Sequence, residues 1–263
     1  MNNEQTSKYG TVWSREELIL ALYLYCQIPF ARTKANNPEV IRLSALLNRT
    51  PSSVARKLGN FGAFDPLLVN KGISGLTHVG RMDREIWNEF YGRWDMLVEQ
   101  SQQILIHFVA EEVSQTHDDP SVIVIPKGVT EKSSVVTTRL YQSFFRKAVL
   151  SSYESSCCVC GIDIPQLLVA SHIIPWAKNR ETRTDPQNGL CLCSLHDKAF
   201  DRGILAITDN YKIKISIITS NSKASFSNIS ITTFDGKNIL LPKRFIPKQS
   251  YLEWHLSNVF IQG

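Results

Sequence analysis

The sequence has no apolar run long enough to cross a membrane. Its N-terminus, MNNEQTSKYGTVWSREE, carries no apolar stretch after the first basic residue, which excludes a secretory signal peptide. The strongest apolar stretch, LILALYLYCQIPF, is too short for a bilayer and indicates a buried helix. Internal repeats and low-complexity tracts are also absent. We therefore expect a cytoplasmic globular protein with no membrane partner.

Cysteine is scarce outside one short stretch. Cys26 is the single cysteine that lies outside it. The other five cysteines cluster together: Cys157, Cys158, Cys160, Cys191 and Cys193. In a chain without a signal peptide, such clustering favours metal binding over disulfides.

Acidic residues are missing from Val40 to Phe64, although this window contains four basic ones. A second excess of Lys and Arg follows Asp201, and the formal net charge of the chain is +5. Two separated basic regions fit a protein that binds nucleic acid at two places. Ordinary solvated surface charge is the alternative for each region.

The fold class that we predict is α+β, with a mainly helical N-terminal domain over residues 1–112. Ser14 and Glu17 have the spacing of a capping box at the start of the first helix. A second helix over Pro38–Leu47 and a third from Ser52 or Ser53 form a helix-turn-helix-like segment. A plain helical hairpin has the same pattern. If the segment binds DNA, the contacts would come from Arg49, Ser52, Arg56 and Lys57.

One further long helix is predicted from Asp83 to about Ala110. Its aromatic stripe is typical of a buried core rather than of a platform for stacking bases. Residues 113–136 mix charge, proline, glycine and serine, and we interpret them as a linker.

The C-terminal domain is predicted over residues 137–263. It begins with a helix from Thr138 and includes a hairpin of Gly203–Ile207 with Tyr211–Ile218. A second hairpin is predicted at Ile229–Phe234 and Ile239–Leu241, joined by Asp-Gly. A last helix is expected over Gln249–Val259.

Two half-sites with metal-ligand spacing frame the middle of this domain. Cys157 and Cys160 are separated by two residues and followed by glycine, as in a zinc knuckle. Cys193 and His196 repeat that spacing, so the predicted structural zinc ligands are these two pairs. Cys191 is the alternative to one of them, or else a core residue.

Residues with catalytic chemistry lie between and after the half-sites. His172 ends a predicted strand, Asn188 lies in a turn before the strand GLCLC, and a helix then carries Asp197 and Asp201 on one face. The order CxxC, His172, Asn188 and CxxH resembles the HNH (ββα-metal) endonuclease superfamily. More closely, ASHIIPW and NGLCLCSLHDKAFDRG resemble a bacterial branch described as restriction endonucleases.

The resemblance implies roles for individual residues. His172 would be the general base, and Asn188 would hold the loop that orients it. The helix ligands of one catalytic cation fall on Asp197 and Asp201, whose carboxylates favour Mg²⁺ or Mn²⁺. Alternatively His196 belongs to the catalytic metal and Cys191 completes the zinc site. Arg202 would hold a neighbouring phosphate.

One position departs from the family pattern. Many members have Asp or His just before the base, whereas this chain has Ser171. Serine is a poor ligand, so water, Asp185 or Asn188 would complete the coordination.

The function predicted is a metal-dependent endonuclease that cuts double-stranded DNA, in restriction or another defence against foreign DNA, including modified DNA. Because one HNH site cuts one strand, a homodimer is expected for a double-strand cut. Two rival functions stay open: a zinc-knuckle DNA-binding regulator with a degenerate nuclease fold, and a homing-type nicking endonuclease.

Overall fold

The computed structural model describes residues 10–72, 80–116, 130–221 and 230–262. The chain forms two compact units, Met1–Phe144 and Phe145–Gly263. Within the described ranges, no helix combines the length and apolarity that a membrane crossing requires.

The first unit is helical and is built around its first helix, α1 (Arg15–Gln27). Ser14 caps this helix and Glu17 completes the predicted capping box. Most of α1 is buried, from Leu18 to Leu22 and again at Tyr25. The helices that the structure describes between residues 38 and 116 are α2 (Pro38–Leu46), α3 (Pro51–Gly62), α4 (Pro66–Asn70), α5 (Arg81–Phe90) and α6 (Trp94–Thr116).

The segment expected as one helix from Asp83 to Ala110 is instead two, and this prediction was wrong. The chain turns at Gly92, whose φ of +83° lies in the left-handed region that glycine adopts without a Cβ penalty. The break keeps Trp87 and Trp94 both buried, although they lie on different helices. The aromatic stripe is therefore core, as predicted.

A short turn joins α2 to α3, close to the predicted segment. The third helix begins at Pro51, one residue earlier than expected, because Thr50 accepts a hydrogen bond from Ser53 N and acts as its cap. Helix, turn and helix are present. A DNA-reading role for them stays a prediction.

The predicted linker, residues 113–136, begins and ends in helices. Helix α6 reaches Thr116, and α7 covers Thr130–Ser152, so it starts earlier than the predicted Thr138. Residues 117–129 of the predicted linker lie outside the described residues.

The described residues of the second unit include two small antiparallel sheets, and helices α8 and α9 follow α7. Strands β1 (Leu168–His172) and β2 (Gly189–Cys193) pair, and α8 (Ser194–Asp201) follows at once. Strands β3 (Leu205–Ile207) and β4 (Ile213–Ile215) form the first predicted hairpin. Helix α9 covers Gln249–Asn258, close to the predicted bounds.

The second predicted hairpin is not formed by the residues that we assigned to it. Thr232–Phe234 is a 3-10 turn, and Ile229 lies outside the described residues. Residues 236–239 instead hydrogen-bond to the edge of β4, since Ile213 N donates to Lys237 O. The Asp235 carboxylate also accepts from Ile215 N. An edge strand with free backbone groups thus outcompetes a local hairpin.

Candidate active site and metal centre

The ββα frame of β1, β2 and α8 places the predicted site residues. The ladder pairs Leu168 with Cys193 at one end and His172 with Gly189 at the other. Five-residue strands span about 13 Å, so the two ends are well separated. Gly189 leaves no room for a side chain, because a Cβ there would lie 2.3 Å from Val149 Cγ2. This close contact presses the start of β2 against α7.

Four of the predicted ligands come together at the Cys193 end. The thiol and imidazole donor atoms of the four all lie within 4.8 Å of one another, in the set Cys157, Cys160, Cys193 and His196. His196 Nδ1 is 3.2 Å from Cys193 Sγ and 3.6 Å from Cys157 Sγ. Its Nε2 donates to Ser230 O at 2.9 Å, which orients the ring and leaves Nδ1 for a ligand. Three thiols and one imidazole are a donor set that fits a structural zinc ion.

Cys191 lies outside this set. It is fully buried in β2, where its carbonyl accepts from Cys158 N. Burial raises the pKa of the Cys191 thiol to about 12. The metal-ligand cluster among the described residues contains Cys157, Cys160, Cys193 and His196 but not Cys191. The geometry therefore supports the first of the two ligand sets that the sequence left open.

His172 lies at the opposite end of β1 and is held on two sides. Its ring stacks on Phe145 with the centroids 3.6 Å apart, and the edge of Trp176 meets it at 5.7 Å. His172 Nε2 is 3.0 Å from Arg183 O. A carbonyl can only accept, so Nε2 carries the proton and Nδ1 of the neutral ring is an acceptor. Burial lowers the pKa of His172 below its ordinary value of 6.5, against a smaller opposing effect of that hydrogen bond.

Asn188 fixes the loop between β1 and β2 and is fully buried. Its Oδ1 accepts from Ile174 N at 2.8 Å, and its Nδ2 donates to Ile174 O and to Thr182 O. Both ends of the amide are thus engaged by backbone. The side chain ties the residues just after His172 to those just before Arg183, whose carbonyl holds the imidazole.

Asp197 and Asp201 lie one turn apart on α8. Burial, and then the negative charge of Asp197, raise the pKa of Asp201. In the described part of the chain, these two carboxylates are not joined by a third Asp, Glu, His or Cys into a ligand group. Two carboxylates that leave the remaining positions to water and phosphate fit Mg²⁺. Arg202 follows them directly and is exposed.

Asp185 and Asn188, which could replace Ser171 as a metal ligand, are already hydrogen-bonded within the protein. Asn188 is engaged as described, and Asp185 Oδ2 accepts from Lys248 Nζ at 2.7 Å and from Tyr251 OH at 3.1 Å. Ser171 itself is buried, and its Oγ has no hydrogen-bond partner among the described residues. Of the three candidates, water is therefore the one that stays available.

Residues 157–208 match the family model of the HNH endonuclease. This segment carries an HNH endonuclease domain. The resemblance inferred from the motifs is thereby confirmed for the part of the chain that contains His172, Asn188, the cysteine and histidine cluster, Asp197 and Asp201. Neither the helical unit nor the residues after 208 are within the match.

Two further comparisons add little. A comparison with curated proteins finds no match. Among the matching solved structures is a "Modification dependent TagI restriction endonuclease", with 21% identity and a TM-score of 0.32. The alignment covers 45% of this chain and 39% of that one, so this chain spans about two fifths of that structure's length. So low a TM-score carries no argument about substrate.

The sequence analysis missed the groups that hold the His172 ring in place. The acceptor for His172 is the backbone carbonyl of Arg183, a group that every residue has, so no sequence signal exists for it. The Arg183 side chain donates from Nε to Trp176 O and lies over the Trp176 ring. Trp176, in the HIIPW motif, was a visible signal that went unused.

In the helical unit, two of the four predicted DNA contacts need correction. Arg49 is buried and pairs with Glu17 at 2.6 Å, and it also donates to the carbonyls of Thr11 and Val12. Lys57 pairs with the buried Asp83 at 2.8 Å. Both charges are neutralised within the fold, where their loss would leave a buried carboxylate unpaired. They are therefore structural ion pairs.

Ser52 and Arg56 are exposed on α3. Both line a cavity of about 330 Å³ at the N-terminus of this helix. Its other lining residues are Gly10, Thr11, Trp13, Arg49, Thr50 and Ser53. The lining contains hydroxyls and the cation of Arg56 besides the paired Arg49, and no carboxylate, which suits an anion beside the positive end of a helix.

Proposed function

We propose that the protein is a metal-dependent DNA endonuclease whose general base is His172. The observation that carries this proposal is the hydrogen bond from His172 Nε2 to Arg183 O. It selects the tautomer in which Nδ1 accepts a proton. The lowered pKa keeps the ring neutral, and so able to act as a base, at neutral pH.

The reaction follows from these groups. His172 Nδ1 takes a proton from a water molecule, whose oxygen attacks the phosphorus while the bond to the 3′ oxygen breaks. The 3′ oxygen gains a proton, so the products are a 5′-phosphate and a 3′-hydroxyl. Asp197 and Asp201 would hold Mg²⁺ or Mn²⁺, which supplies charge neutralisation at the phosphate and at the leaving oxygen. Arg202 would bind a neighbouring phosphate.

Structural support comes from the closed ligand set. Cys157, Cys160, Cys193 and His196 would bind one zinc ion, and four protein ligands leave no open position for substrate. Zinc in this set therefore stabilises the frame of β1, β2 and α8, and the chemistry belongs to His172 and the carboxylates.

The decisive experiment compares the intact chain with His172→Ala on supercoiled plasmid in Mg²⁺ or Mn²⁺. Loss of a general base lowers the rate about 10²- to 10⁴-fold. His107→Ala, on exposed helical surface of the other unit, is the matched control and should cut like wild type. Equal cutting by wild type and His172→Ala would refute the proposal. DNA binding without any cutting by wild type would favour the regulator.

The helical unit is proposed to bind the DNA backbone through Ser52 and Arg56. Arg56→Ala should weaken DNA binding several-fold and reduce the slope of log affinity against log salt by about 1. Arg81→Ala, which removes an exposed arginine from α5, is the control for charge alone. Equal effects of the two variants would show that α3 is not the DNA-binding helix.

The biological role and the assembly follow from the same assay. Restriction or defence predicts that cutting depends on whether the plasmid is unmodified, methylated or hydroxymethylated. A homodimer predicts linear product with few nicked intermediates, whereas a monomer predicts nicks. Sedimentation of the DNA-bound protein measures the same difference directly.

A further inference from the structure

The C-terminal segment from Ile246 to Tyr251 lies beyond the HNH match and is attached to the loop that holds the base. Gln187 Nε2 donates to Ile246 O at 3.0 Å, and Lys248 N donates to Gln187 O at 3.2 Å. These two hydrogen bonds, one from the side chain of Gln187 and one to its backbone, join the start of α9 to the 3-10 turn Pro186–Asn188.

Asp185 is the centre of this attachment. Its Oδ1 accepts from Gln187 N and caps the turn that carries Asn188. Its Oδ2 accepts from Lys248 Nζ and from Tyr251 OH, which are themselves 3.1 Å apart. The carboxylate is 9% exposed, and the lysine lies over the tyrosine ring. The lysine side chain is 41% exposed, so the pair is shielded on the carboxylate side and open to solvent on the lysine side.

Arg183, which supplies the acceptor for His172, lies between two fixed points. On one side Asn188 Nδ2 holds Thr182 O, and on the other Asp185 is held by α9. A displacement of about 1 Å at the Arg183 carbonyl would weaken the hydrogen bond that selects the His172 tautomer. The family motif contains the first fixed point, and the C-terminal segment provides the second.

We propose that Asp185, Lys248 and Tyr251 are positioning residues of the nuclease, which act by fixing the Arg183 carbonyl against His172. This inference rests on the proposed function of His172 as the base. None of the three needs to touch DNA or a metal ion for this role. The C-terminal segment is then part of the catalytic apparatus and more than a cover for the core.

The test uses the intact chain with Lys248→Met, Tyr251→Phe and the conservative Lys248→Arg. Lys147→Met, which removes an exposed lysine from α7, is the matched control. We expect Lys248→Met to lower kcat about tenfold at unchanged KM and zinc content. Tyr251→Phe should have a smaller effect, and Lys248→Arg should restore most of the rate. A fall shared equally with Lys147→Met, or one confined to KM, would overturn the proposal.

A second readout does not depend on cutting. Nitrogen-15 NMR of the His172 ring reports its tautomer and its pKa. In wild type we expect the Nε2–H tautomer, and in Lys248→Met a mixture of tautomers with a shifted pKa. An unchanged ring in Lys248→Met would refute positioning even if the rate falls. If wild type does not cut DNA but the ring responds as expected, the proposed function fails while the structural coupling holds.

Discussion

Helix α8 carries residues of the two proposed metal-ligand sets side by side. His196 lies with three thiols in a closed set, whereas Asp197, the next residue, is outside that set and would form an open one with Asp201. Successive residues on a helix are rotated by about 100°, so one short helix serves both sets. In the closed set, protein side chains would supply all four ligands of a zinc ion. The open set leaves room for water and phosphate, which is what hydrolysis requires.

The largest effect should come from opening the closed set. Cys193→Ser should abolish stoichiometric zinc binding and cost on the order of 5 kcal/mol, which lowers the melting temperature by about 15 °C. Cys191→Ser, two residues away on the same strand, should keep the zinc and cost about 1–2 kcal/mol. Metal analysis and thermal unfolding of the two variants measure this. The reverse ranking would show that Cys191 is the ligand.

Removing charge from the open set should leave the fold intact and lower the activity. Asp197→Asn or Asp201→Asn should reduce the cutting rate about 10²-fold, with unchanged zinc. Because the negative charge of Asp197 raises the pKa of Asp201, either substitution also relieves repulsion and should not lower the melting temperature. A loss of zinc in Asp197→Asn would mean that the two sets are not separate.

A smaller effect is expected from acid, which should destabilise the packing of His255 against α8. His255 is buried against α8, stacked on Phe200 with its Nε2 donating to Phe200 O. Burial lowers the pKa of His255 to about 4. In the unfolded chain His255 has a pKa near 6.5 and binds a proton more readily than in the folded chain. The stabilisation from the neutral, buried His255 is therefore fully present above pH 6.5, and the free energy of unfolding falls by about 3 kcal/mol as the pH drops to 4. Urea unfolding at pH 7, 5.5 and 4.5 measures the slope.

His255→Phe is the control for that slope. Phenylalanine keeps the stacking on Phe200 and cannot titrate, so the variant should lose less stability than wild type between pH 6.5 and pH 4. Parallel curves for the two proteins would show that the acid sensitivity comes from elsewhere, including the thiol ligands.

What the sequence predicted well depends on local spacing. Cys157, Cys160, Cys193 and His196 were chosen by two-residue gaps, and they meet because a knuckle and a helix start each place such pairs together. The capping box at Ser14 is local in the same way. The HNH resemblance then ordered His172 and Asn188 correctly along the ββα frame.

What the sequence predicted poorly depends on distant partners. Arg49 and Lys57 looked like DNA contacts because their carboxylates, Glu17 and Asp83, are far away along the chain. The role of Arg183 rests on a backbone atom, which carries no residue-type signal. The prediction of the second hairpin was wrong because residues 236–239 hydrogen-bond to the edge of an existing sheet rather than to their neighbours along the chain.

The crowding at Gly189 has a practical consequence. An alanine there would press on Val149, on Phe145, the residue that stacks on His172, and on the backbone carbonyl of Pro186 in the turn that carries Asn188. Such overpacking costs about 1–3 kcal/mol, enough to be tolerated when cool and not when warm. Gly189→Ala would thus make a thermal switch, with which a toxic nuclease can be produced at a restrictive temperature and activated by cooling.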